Sequence, residues 1–552
     1  MPHLSRRQFA QASLGALLVG CAPRGAPDLI IHGGPIYTGA ASAPPFEAVR
    51  ISNGLFTVVG SLADARANSN GAREIDLAGA VLFPGFTDAH VHLSGVGAAA
   101  LTLDLVGTTS VTDLQTRLRA YAQQHAEGPI YGRGWIETHW PEHRFPTAAD
   151  IDAVVADRPV FLERVDGHAA VVNSAALRLA EIGAGTPNPA GGSIERDGSG
   201  TATGMLIDNA MNAVTSRFPA PTASMRREAL LHGARTYAAR GWTGVHNMST
   251  SAAEAQLFEE FAASGELPLS ADIYLTPDDA ASVLERGPYG EGAVKVRGVK
   301  MYMDGALGSR GAALLAPYSD ARSSTGLLVT PPEEIAAFIQ RAKTKNVQIT
   351  THAIGDRGNR LVLDAYRDAF ADNPQALRDA RYRIEHAQII AVDDIPRFAA
   401  QGIIASMQPS HAISDLHFAP ARLGPSRLAG AYAWRALLDT GATVAGGSDA
   451  PVEKGDPLVE FYAAIYRHDL SGFAGPDWHE EQAVSRAEAL RMFTAAPAFA
   501  TFTENERGAI EVGKRANLTA FSVDLMTAEP AAIPTALPVL TVSDGVVTHE
   551  AL

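Results

Sequence analysis

Two histidines separated by one residue end an apolar run, Val81-Leu-Phe-Pro-Gly-Phe-Thr-Asp-Ala-His-Val-His92. Residues i and i+2 of a β-strand point to the same face, so His90 and His92 are predicted to project together. Two imidazoles on one face form half of a divalent-metal site. Alone the pattern is modest evidence, because His-x-His also arises by chance.

Three further residues that can bind a metal occupy corresponding positions. His352, His386 and Asp449 each end a short run of apolar and β-branched residues. Side chains at the carboxyl ends of the strands of an α/β barrel line one face and can converge there. A lone histidine in such a position is more often a hydrogen-bonded core residue. That explanation does not account for four histidines and an aspartate at matching strand ends.

Lys300 lies in Val296-Arg-Gly-Val-Lys-Met-Tyr-Met-Asp304, which we predict to be a buried strand. Burial disfavours the ammonium form, lowers its pKa and frees the amine. A free amine reacts with carbon dioxide to give a carbamate, an anionic oxygen ligand able to bridge two cations. The alternative is a lysine paired with Asp304.

The middle of the chain alternates between predicted strands and helices, which must position these residues. The strands are predicted at 81–86, 296–303, 347–351, 383–385, 403–407 and 443–445, and the helices at 332–345, 359–370, 392–401 and 428–440. Repeated βα units imply a parallel sheet. This many units predict an α/β fold built on a (β/α)8 TIM-like barrel.

The two ends of the chain have a different pattern. Short β-rich segments occupy 28–83 and 501–552, and Asp544-Gly545 between two β-branched runs is a strong hairpin signal. We therefore predict a small β-sandwich domain formed by the N- and C-terminal segments, flanking the barrel at 84–500. A Gly- and Pro-rich stretch within about 100–240 is predicted to be an insertion near the barrel mouth.

The N-terminal segment has the pattern of an export signal. Ser5-Arg6-Arg7-Gln8-Phe9 is a twin-arginine motif, followed by an apolar stretch and Leu18-Val-Gly-Cys21, which resembles a lipoprotein cleavage box. Residues 1–20 are therefore predicted to be a twin-arginine lipoprotein signal peptide. Cys21, the only cysteine, would carry the lipid of a periplasm-facing membrane lipoprotein. The alternative is a chance cysteine in an apolar leader.

Composition narrows the class of protein. The chain of 552 residues is 46% hydrophobic and 19% charged, as in a soluble globular enzyme. Its formal charge of −15 repels phosphate backbones, which argues against nucleic-acid binding.

The chain resembles the amidohydrolase superfamily, specifically the family 3 branch that includes N-substituted formamide deformylases. The resemblance covers nearly the whole mature chain. It rests on the 83–92 segment above and on Asp166-Gly-His-Ala-Ala170, Lys300-Met-Tyr-Met-Asp-Gly-Ala-Leu-Gly-Ser309, His352-Ala-Ile-Gly-Asp356, Ile384-Glu-His-Ala-Gln388, Met407-Gln-Pro409 and Gly447-Ser-Asp-Ala-Pro451. Two departures are Asn247, where the family usually has Asp after His, and Asn517, which replaces a common Asp.

The resemblance implies a ligand set for two divalent metals. One would be held by His90, His92 and Asp449, the second by His352 and His386, with carboxylated Lys300 bridging them. A hydroxide between the metals would attack the substrate carbonyl, with Asp449 as general base. Zinc is the expected metal, and manganese, iron or nickel would also fit. Without the carbamate, the site could hold a single metal.

We therefore predict a hydrolase acting on a carbon–nitrogen bond other than a peptide bond, in an N-acyl or N-formyl amide of small size. The same site would serve a cyclic amide, a carbamate or an ester. An inactive lipid-anchored binding protein is a third hypothesis, which the intact ligand set argues against.

The resemblance also implies that His168 orients substrate, with a structural hydrogen bond as the alternative. Candidates for shaping the pocket are Trp135, Tyr302, Gln408 and His411; the histidines without ligand-like context are His125, His139, His143, His232, His417, His468 and His479.

Overall fold

The structure is a computed structural model that describes residues 28–39, 45–69 and 71–552. The predicted signal peptide at 1–20 and the predicted lipid-attachment residue Cys21 lie outside the described residues. Within the described part of the chain, no helix has both the length and the apolar character needed to cross a membrane.

Strands and helices are numbered in chain order. The strands are β1 Leu29–Ile36, β2 Phe46–Ser52, β3 Leu55–Gly60, β4 Arg73–Asp76, β5 Val81–Pro84, β6 Phe86–Val91, β7 Leu103–Asp104, β8 Ile130–Trp135, β9 Val160–Arg164, β10 Ala169–Val172, β11 Gly192–Arg196, β12 Ala202–Asp208, β13 Trp242–Thr250, β14 Ser270–Leu275, β15 Val294–Tyr302, β16 Gln348–Ala353, β17 Arg383–His386, β18 Ile404–Met407, β19 Val444–Gly446, β20 Leu518–Phe521, β21 Pro538–Ser543 and β22 Val546–Glu550. The helices are α1 Leu62–Arg66, α2 Leu93–Ala100, α3 Val111–Gln124, α4 Ala148–Asp152, α5 Ser174–Leu179, α6 Asn212–Thr215, α7 Ala223–Arg240, α8 Ala252–Ser264, α9 Ala281–Arg286, α10 Pro332–Lys343, α11 Asp356–Ala369, α12 Pro374–Ala380, α13 Ile395–Gln401, α14 Pro409–Asp415, α15 Ala419–Leu423, α16 Trp434–Asp439, α17 Pro457–Tyr466, α18 Arg486–Phe493 and α19 Ala495–Ala500.

The centre of the molecule is a nearly closed barrel of eight parallel strands. Their order is β6-β13-β14-β15-β16-β17-β18-β19, and β19 packs beside β6. Helices follow most of these strands and bury one face against the barrel. In α10, for example, the apolar side consists of Ile335, Phe338, Ile339 and Ala342, while glutamates begin the helix and basic residues end it. The predicted α/β barrel is therefore confirmed.

Two barrel strands are absent from those predicted above. β13 contains His246 and Asn247, and β14 contains Asp272, all of them buried. Polar residues at these positions interrupt the continuous apolar pattern typical of a parallel strand. Their burial is made possible by partners inside the barrel, which a sequence pattern does not display.

The strand predicted at 81–86 is in fact divided between two sheets. β5 ends at Pro84 in the terminal sheet, and β6 begins at Phe86 in the barrel. Gly85 lies at the junction, where a Cβ atom would collide with Thr243 Oγ1 and would lie 2.8 Å from Asn517 Cβ. Only glycine allows the chain to pass so closely between the two sheets.

Both ends of the chain contribute to one sheet of eight strands, β1–β5 and β20–β22. The predicted hairpin at Asp544-Gly545 joins β21 to β22, and both turn residues have positive φ, 47° and 81°. The prediction of a separate two-sheet sandwich is not confirmed, because these strands hydrogen-bond into a single sheet with its own apolar core.

A six-stranded sheet, in the order β11-β12-β10-β9-β8-β7, lies in the chain between β6 and β13. Its two faces are covered by separate apolar clusters. We call it the inserted sheet. The segment that joins β9 to β10, residues 165–168, reaches the carboxyl end of the barrel.

Candidate active site

The end of β6 places two imidazoles beside one carboxylate. His90 Nε2 lies 3.4 Å from Asp449 Oδ1 and 3.3 Å from Lys300 Nζ. His92 Nε2 lies 3.3 Å from the same oxygen of Asp449. The His-x-His pair, Lys300 and Asp449 therefore converge, although they come from three different regions of the chain.

A buried ion pair orients His90. Glu385 Oε2 lies 2.6 Å from His90 Nδ1, and both oxygens of Glu385 accept hydrogen bonds from Arg383, at 2.7 and 3.0 Å. Arg383 Nη2 also donates to the carbonyl of Ala89 at 2.6 Å, and Arg383 Nη1 donates to His246 Nδ1 at 2.8 Å. Because the Nδ1 hydrogen of His90 is held by a carboxylate, its Nε2 lone pair is directed to the centre of the site.

The remaining predicted ligands are also held through one ring nitrogen each. His386 Nδ1 lies 2.9 Å from Gln408 Oε1, and His352 Nε2 lies 3.4 Å from the carbonyl oxygen of Gly305. Both acceptors require a hydrogen on the nitrogen that they face, so the other nitrogen carries the lone pair. The centroids of the two rings are 4.6 Å apart.

Burial sets the protonation state of this cluster. It lowers the pKa of His90, His352 and His386 well below the usual value, so these imidazoles are neutral at pH 7. Burial also lowers the pKa of Lys300, to about 8. Burial alone would raise the pKa of Asp449, but the neighbouring His90 and His92 outweigh it and hold that pKa below its ordinary range.

His411 joins the cluster at its other side. Its Nε2 atom is buried, has no hydrogen-bond partner among the described residues, and lies 3.8 Å from Asp449 Oδ2. The structure thus contains two groups of donors whose atoms all lie within 4.8 Å of one another, His90–His92–Asp449 and His386–His411–Asp449. Imidazole nitrogens around an ionised carboxylate, with His411 Nε2 unpaired among the described residues, are a donor set that fits a divalent metal such as zinc.

A buried aspartate joins the two strand ends that carry His90 and Asp449. Asp88 Oδ1 accepts hydrogen bonds from the backbone N–H groups of His90 and Ser448, at 3.0 and 2.9 Å. Its Oδ2 accepts from the hydroxyls of Ser448 and Tyr237, at 2.5 and 3.1 Å. Asp88 therefore fixes β6 relative to the segment after β19.

Asp304 has a corresponding position beside His352. Its carboxylate accepts backbone N–H groups of Ile354 and Gly355, at 2.9 and 2.8 Å, and a third from the loop after β15. Among the described residues, no ion pair joins Asp304 to Lys300. The amine of Lys300 contacts His90 instead. The alternative pairing of Lys300 with Asp304 is therefore wrong.

Two cavities open onto this cluster. The first, of about 330 Å³, is named the Phe418 cavity; its apolar lining includes Ile136, Leu307, Ile413, Phe418 and Val452. The second, of about 350 Å³, is named the Arg133 cavity; its polar lining includes Arg133, Glu163, Asn209, Asn212 and Tyr302. Both cavities reach His352, His386 and Asp449.

His168 lies at the wall between the two cavities and lines both. Its Nδ1 atom is 2.5 Å from Asp208 Oδ1, and its ring centroid is 5.0 Å from that of His352. Burial alone would lower the pKa of His168, but Asp208 more than compensates and raises it to about 9. His168 therefore both forms the predicted structural hydrogen bond and lines the two cavities.

The other pocket predictions have mixed outcomes. Tyr302 lines the Arg133 cavity, whereas Trp135 packs in the core of the inserted sheet and donates to the carbonyl of Leu162 at 2.8 Å. His139 and His417, which have no ligand-like context in the sequence, line the Phe418 cavity. His139 ends a short 3-10 helix and His417 lies in a turn, so the rule of strand ends gives no signal for either.

The two departures from the family pattern have structural roles. Asn247 accepts a hydrogen bond from the backbone N–H of Leu93 at 2.8 Å and so fixes the segment that follows His92. Asn517 accepts from the backbone N–H of Asp544 in the terminal sheet at 2.8 Å, far from the donor cluster in the fold.

An eight-stranded parallel barrel with buried histidines, a lysine and an aspartate at its carboxyl ends is the architecture of a metal-dependent hydrolase. Comparison with known proteins agrees: residues 73–549 match the model of the amidohydrolase family, and the chain belongs to that family. The resemblance found in the sequence is therefore confirmed.

Individual relatives match the chain over nearly its full length. The Bacillus subtilis protein named amidohydrolase YtcJ is 34% identical over 94% of this chain and 99% of its own. The N-substituted formamide deformylase of Arthrobacter pascens is 30% identical over 95% of this chain and 98% of its own. A crystal structure of an uncharacterized metal-dependent hydrolase from Pyrococcus horikoshii has a TM-score of 0.75 and 25% identity, covering 91% of this chain and 99% of that one.

Proposed function

We propose that the protein hydrolyses the carbon–nitrogen bond of a small N-acyl or N-formyl amide. The observation that carries the proposal is the cluster of imidazoles around Asp449 at the floor of two cavities. The relative named N-substituted formamide deformylase supports an amide as the substrate class.

We propose that this donor set supplies ligands for two metal positions. The proposed ligands are His90, His92 and Asp449 for one metal, and His352 and His386 for the second, with carboxylated Lys300 between them. His411 is a further donor that the sequence did not single out as a ligand. Zinc is the first choice of metal, with manganese, iron and nickel as alternatives. Bound divalent metals supply Lewis acidity and a water of lowered pKa.

The protein's own groups then move protons and position the substrate. Asp449 is held in its ionised form by His90 and His92, so its carboxylate can accept a proton and return it to the leaving amine. His168, fixed by Asp208, faces both cavities and can hydrogen-bond the bound amide. The segment between β9 and β10 of the inserted sheet supplies this side chain to the carboxyl end of the barrel.

We also propose that residues 1–20 direct export by the twin-arginine route and that Cys21 anchors the mature protein to the membrane, facing the periplasm. This proposal is supported by the order of the twin-arginine motif, the apolar stretch and the cleavage box in the sequence.

The experiment that tests the hydrolase proposal combines metal analysis with a panel of N-formyl and N-acyl amides. We expect stoichiometric divalent metal in the purified protein, and loss of turnover in Asp449→Asn. Asp394→Asn is the matched control, because Asp394 is buried and ion-paired on the outer side of the barrel. Wild-type protein without stoichiometric metal would refute the proposal, and appreciable turnover by Asp449→Asn would exclude Asp449 as the base.

A further inference from the structure

Two opposite charges stand side by side in the Arg133 cavity. Arg133 on β8 and Glu163 on β9 are register partners in neighbouring parallel strands of the inserted sheet. Partners in a parallel ladder lie on the same face of the sheet, and both side chains line the cavity. The cavity extends from this pair to Lys300 and Asp449 at the barrel end.

Neither charge is neutralised by the protein. The guanidinium of Arg133 donates to the backbone carbonyl of Val165 at 3.0 Å, and no carboxylate of the described residues lies within 4.0 Å of it. Glu163 accepts no hydrogen bond and forms no ion pair in the described part of the chain, although its oxygen lies close to Gly167. Both residues are only partly exposed.

The other charges of the inserted sheet in this cavity are already paired. Asp166 Oδ2 accepts a hydrogen bond from Arg164 at 2.5 Å, and Asp208 Oδ1 is bound by His168 at 2.5 Å. These carboxylates are therefore committed to holding the wall between the two cavities. Of the charged side chains that the inserted sheet contributes to this cavity, Arg133 and Glu163 are therefore available to bind a ligand.

The chemistry of this pair selects one kind of ligand. A partly buried charge without a partner is costly, and a ligand of complementary charge relieves that cost. Arginine binds carboxylates with two parallel hydrogen bonds, and a glutamate binds ammonium. A purely anionic ligand would be repelled by Glu163 and a purely cationic one by Arg133. A zwitterion that carries both charges on one carbon complements both side chains.

We propose that the Arg133 cavity binds the α-amino-acid head group of the substrate, with its carboxylate on Arg133 and its ammonium on Glu163. The amide that is cleaved then lies in the side chain of that amino acid, extended toward Asp449. This inference rests on the proposed hydrolase function and specifies its substrate class. Water adds across the bond: the acyl carbon gains hydroxyl, and the side-chain nitrogen gains the proton and leaves as an amine.

The test compares substrates that share one amide and differ in head group, using the metal-loaded enzyme. The panel contains Nε-formyl-lysine, its α-carboxamide, N-formyl-6-aminohexanoate and the neutral N-formylpentylamine. We expect kcat/KM for Nε-formyl-lysine to exceed that for the neutral amide by about 10- to 100-fold, mainly through KM. Nδ-formyl-ornithine tests the same head group on a shorter side chain.

Variants assign the two charges. Arg133→Gln is expected to remove the preference for Nε-formyl-lysine over its carboxamide, so that kcat/KM falls more for Nε-formyl-lysine than for N-formylpentylamine. Glu163→Gln is expected to weaken Nε-formyl-lysine and to improve N-formyl-6-aminohexanoate, because the repulsion of its carboxylate is removed. The matched control is Arg158→Gln. Arg158 lies in the inserted sheet region and donates only to the backbone carbonyls of Gly128 and Ala122. Its replacement should not change the ratios of kcat/KM between the substrates.

The outcomes separate this inference from the proposed function. A wild-type enzyme that cleaves N-formylpentylamine and Nε-formyl-lysine equally well retains the hydrolase function and overturns the head-group site. Equal losses on all four substrates in Arg133→Gln also overturn it, because they indicate a structural role. The wild-type comparison needs no variant to fold. If no formyl or acyl amide is cleaved by metal-loaded protein, the proposed function itself fails.

Discussion

Replacement of Glu385 by glutamine tests whether the buried ion pair behind His90 controls metal binding. Glu385 and Arg383 are both fully buried, and Glu385 also holds His90 Nδ1 at 2.6 Å. Glu385→Gln keeps the size of the side chain and one oxygen acceptor. It removes the negative charge that balances Arg383 and that fixes the hydrogen on His90 Nδ1.

Two separate losses follow from this geometry. Removing one partner of a buried ion pair costs about 3–5 kcal/mol of unfolding free energy. We expect the lower end, because Arg383 keeps the carbonyl of Ala89 and the hydroxyl of Ser406 as acceptors, at 2.6 and 2.8 Å. Loss of a carboxylate that orients a metal-binding histidine costs about 10- to 100-fold in metal affinity.

The assay is a chelator competition that measures metal affinity, together with urea unfolding of the metal-free protein. Glu460→Gln is the matched control: Glu460 is also fully buried, accepts the backbone N–H of Ser410 at 3.0 Å, and has its pKa raised by burial, which favours the uncharged form that glutamine resembles. Glutamine should replace it with no effect on metal affinity. Metal affinity in Glu385→Gln equal to that of the wild type would show that Glu385 serves only as the counter-ion of Arg383.

The remaining predictions concern the other parts of the site and the export signal. In metal-free protein, Asp208→Asn should lower the pKa of His168, measured by NMR titration, from about 9 toward the ordinary 6.5. Because the pKa of His168 is raised in the folded protein, the stabilisation by this pair is complete below about pH 6.5. It is lost as the pH rises through 9. An unchanged titration would exclude Asp208 as the cause. Lys300→Ala should lose at least one metal by elemental analysis, with partial rescue of turnover by short carboxylic acids; retention of both metals and full activity would exclude a bridging carbamate. Cys21→Ala should release the protein from membranes on fractionation, and unchanged membrane association would contradict lipidation.

The sequence predicts most of the barrel because its strands obey a simple rule. Apolar runs such as 347–351 and 403–407 end in polar residues, and the structure places these ends at one face of the sheet. The positions of His90, His352, His386 and Asp449 follow from that rule alone. Their convergence on one another required only that the strands be neighbours in a closed parallel sheet.

Other features of the site lie beyond that rule. His411 is on α14, after β18, where the sequence gives a helix start and no strand end. Arg133, Glu163 and His168 come from the inserted sheet, whose position over the barrel depends on packing between separate apolar clusters. Pairings such as Glu385 with His90 join residues 295 positions apart, and no local pattern encodes them.

Two of the proposed metal ligands have a strained backbone, and a buried aspartate holds the segment that carries one of them. His386 and Asp449 both have positive φ, 72° and 59°, a conformation that costs a non-glycine residue free energy. Asp449 directly follows Ser448, whose N–H and hydroxyl are both held by Asp88, so this contact fixes the strained segment. Because Asp88 also accepts the N–H of His90, one carboxylate sets the separation of two proposed ligands. Contacts of Asp88 within the fold therefore help to set the geometry of the donor cluster.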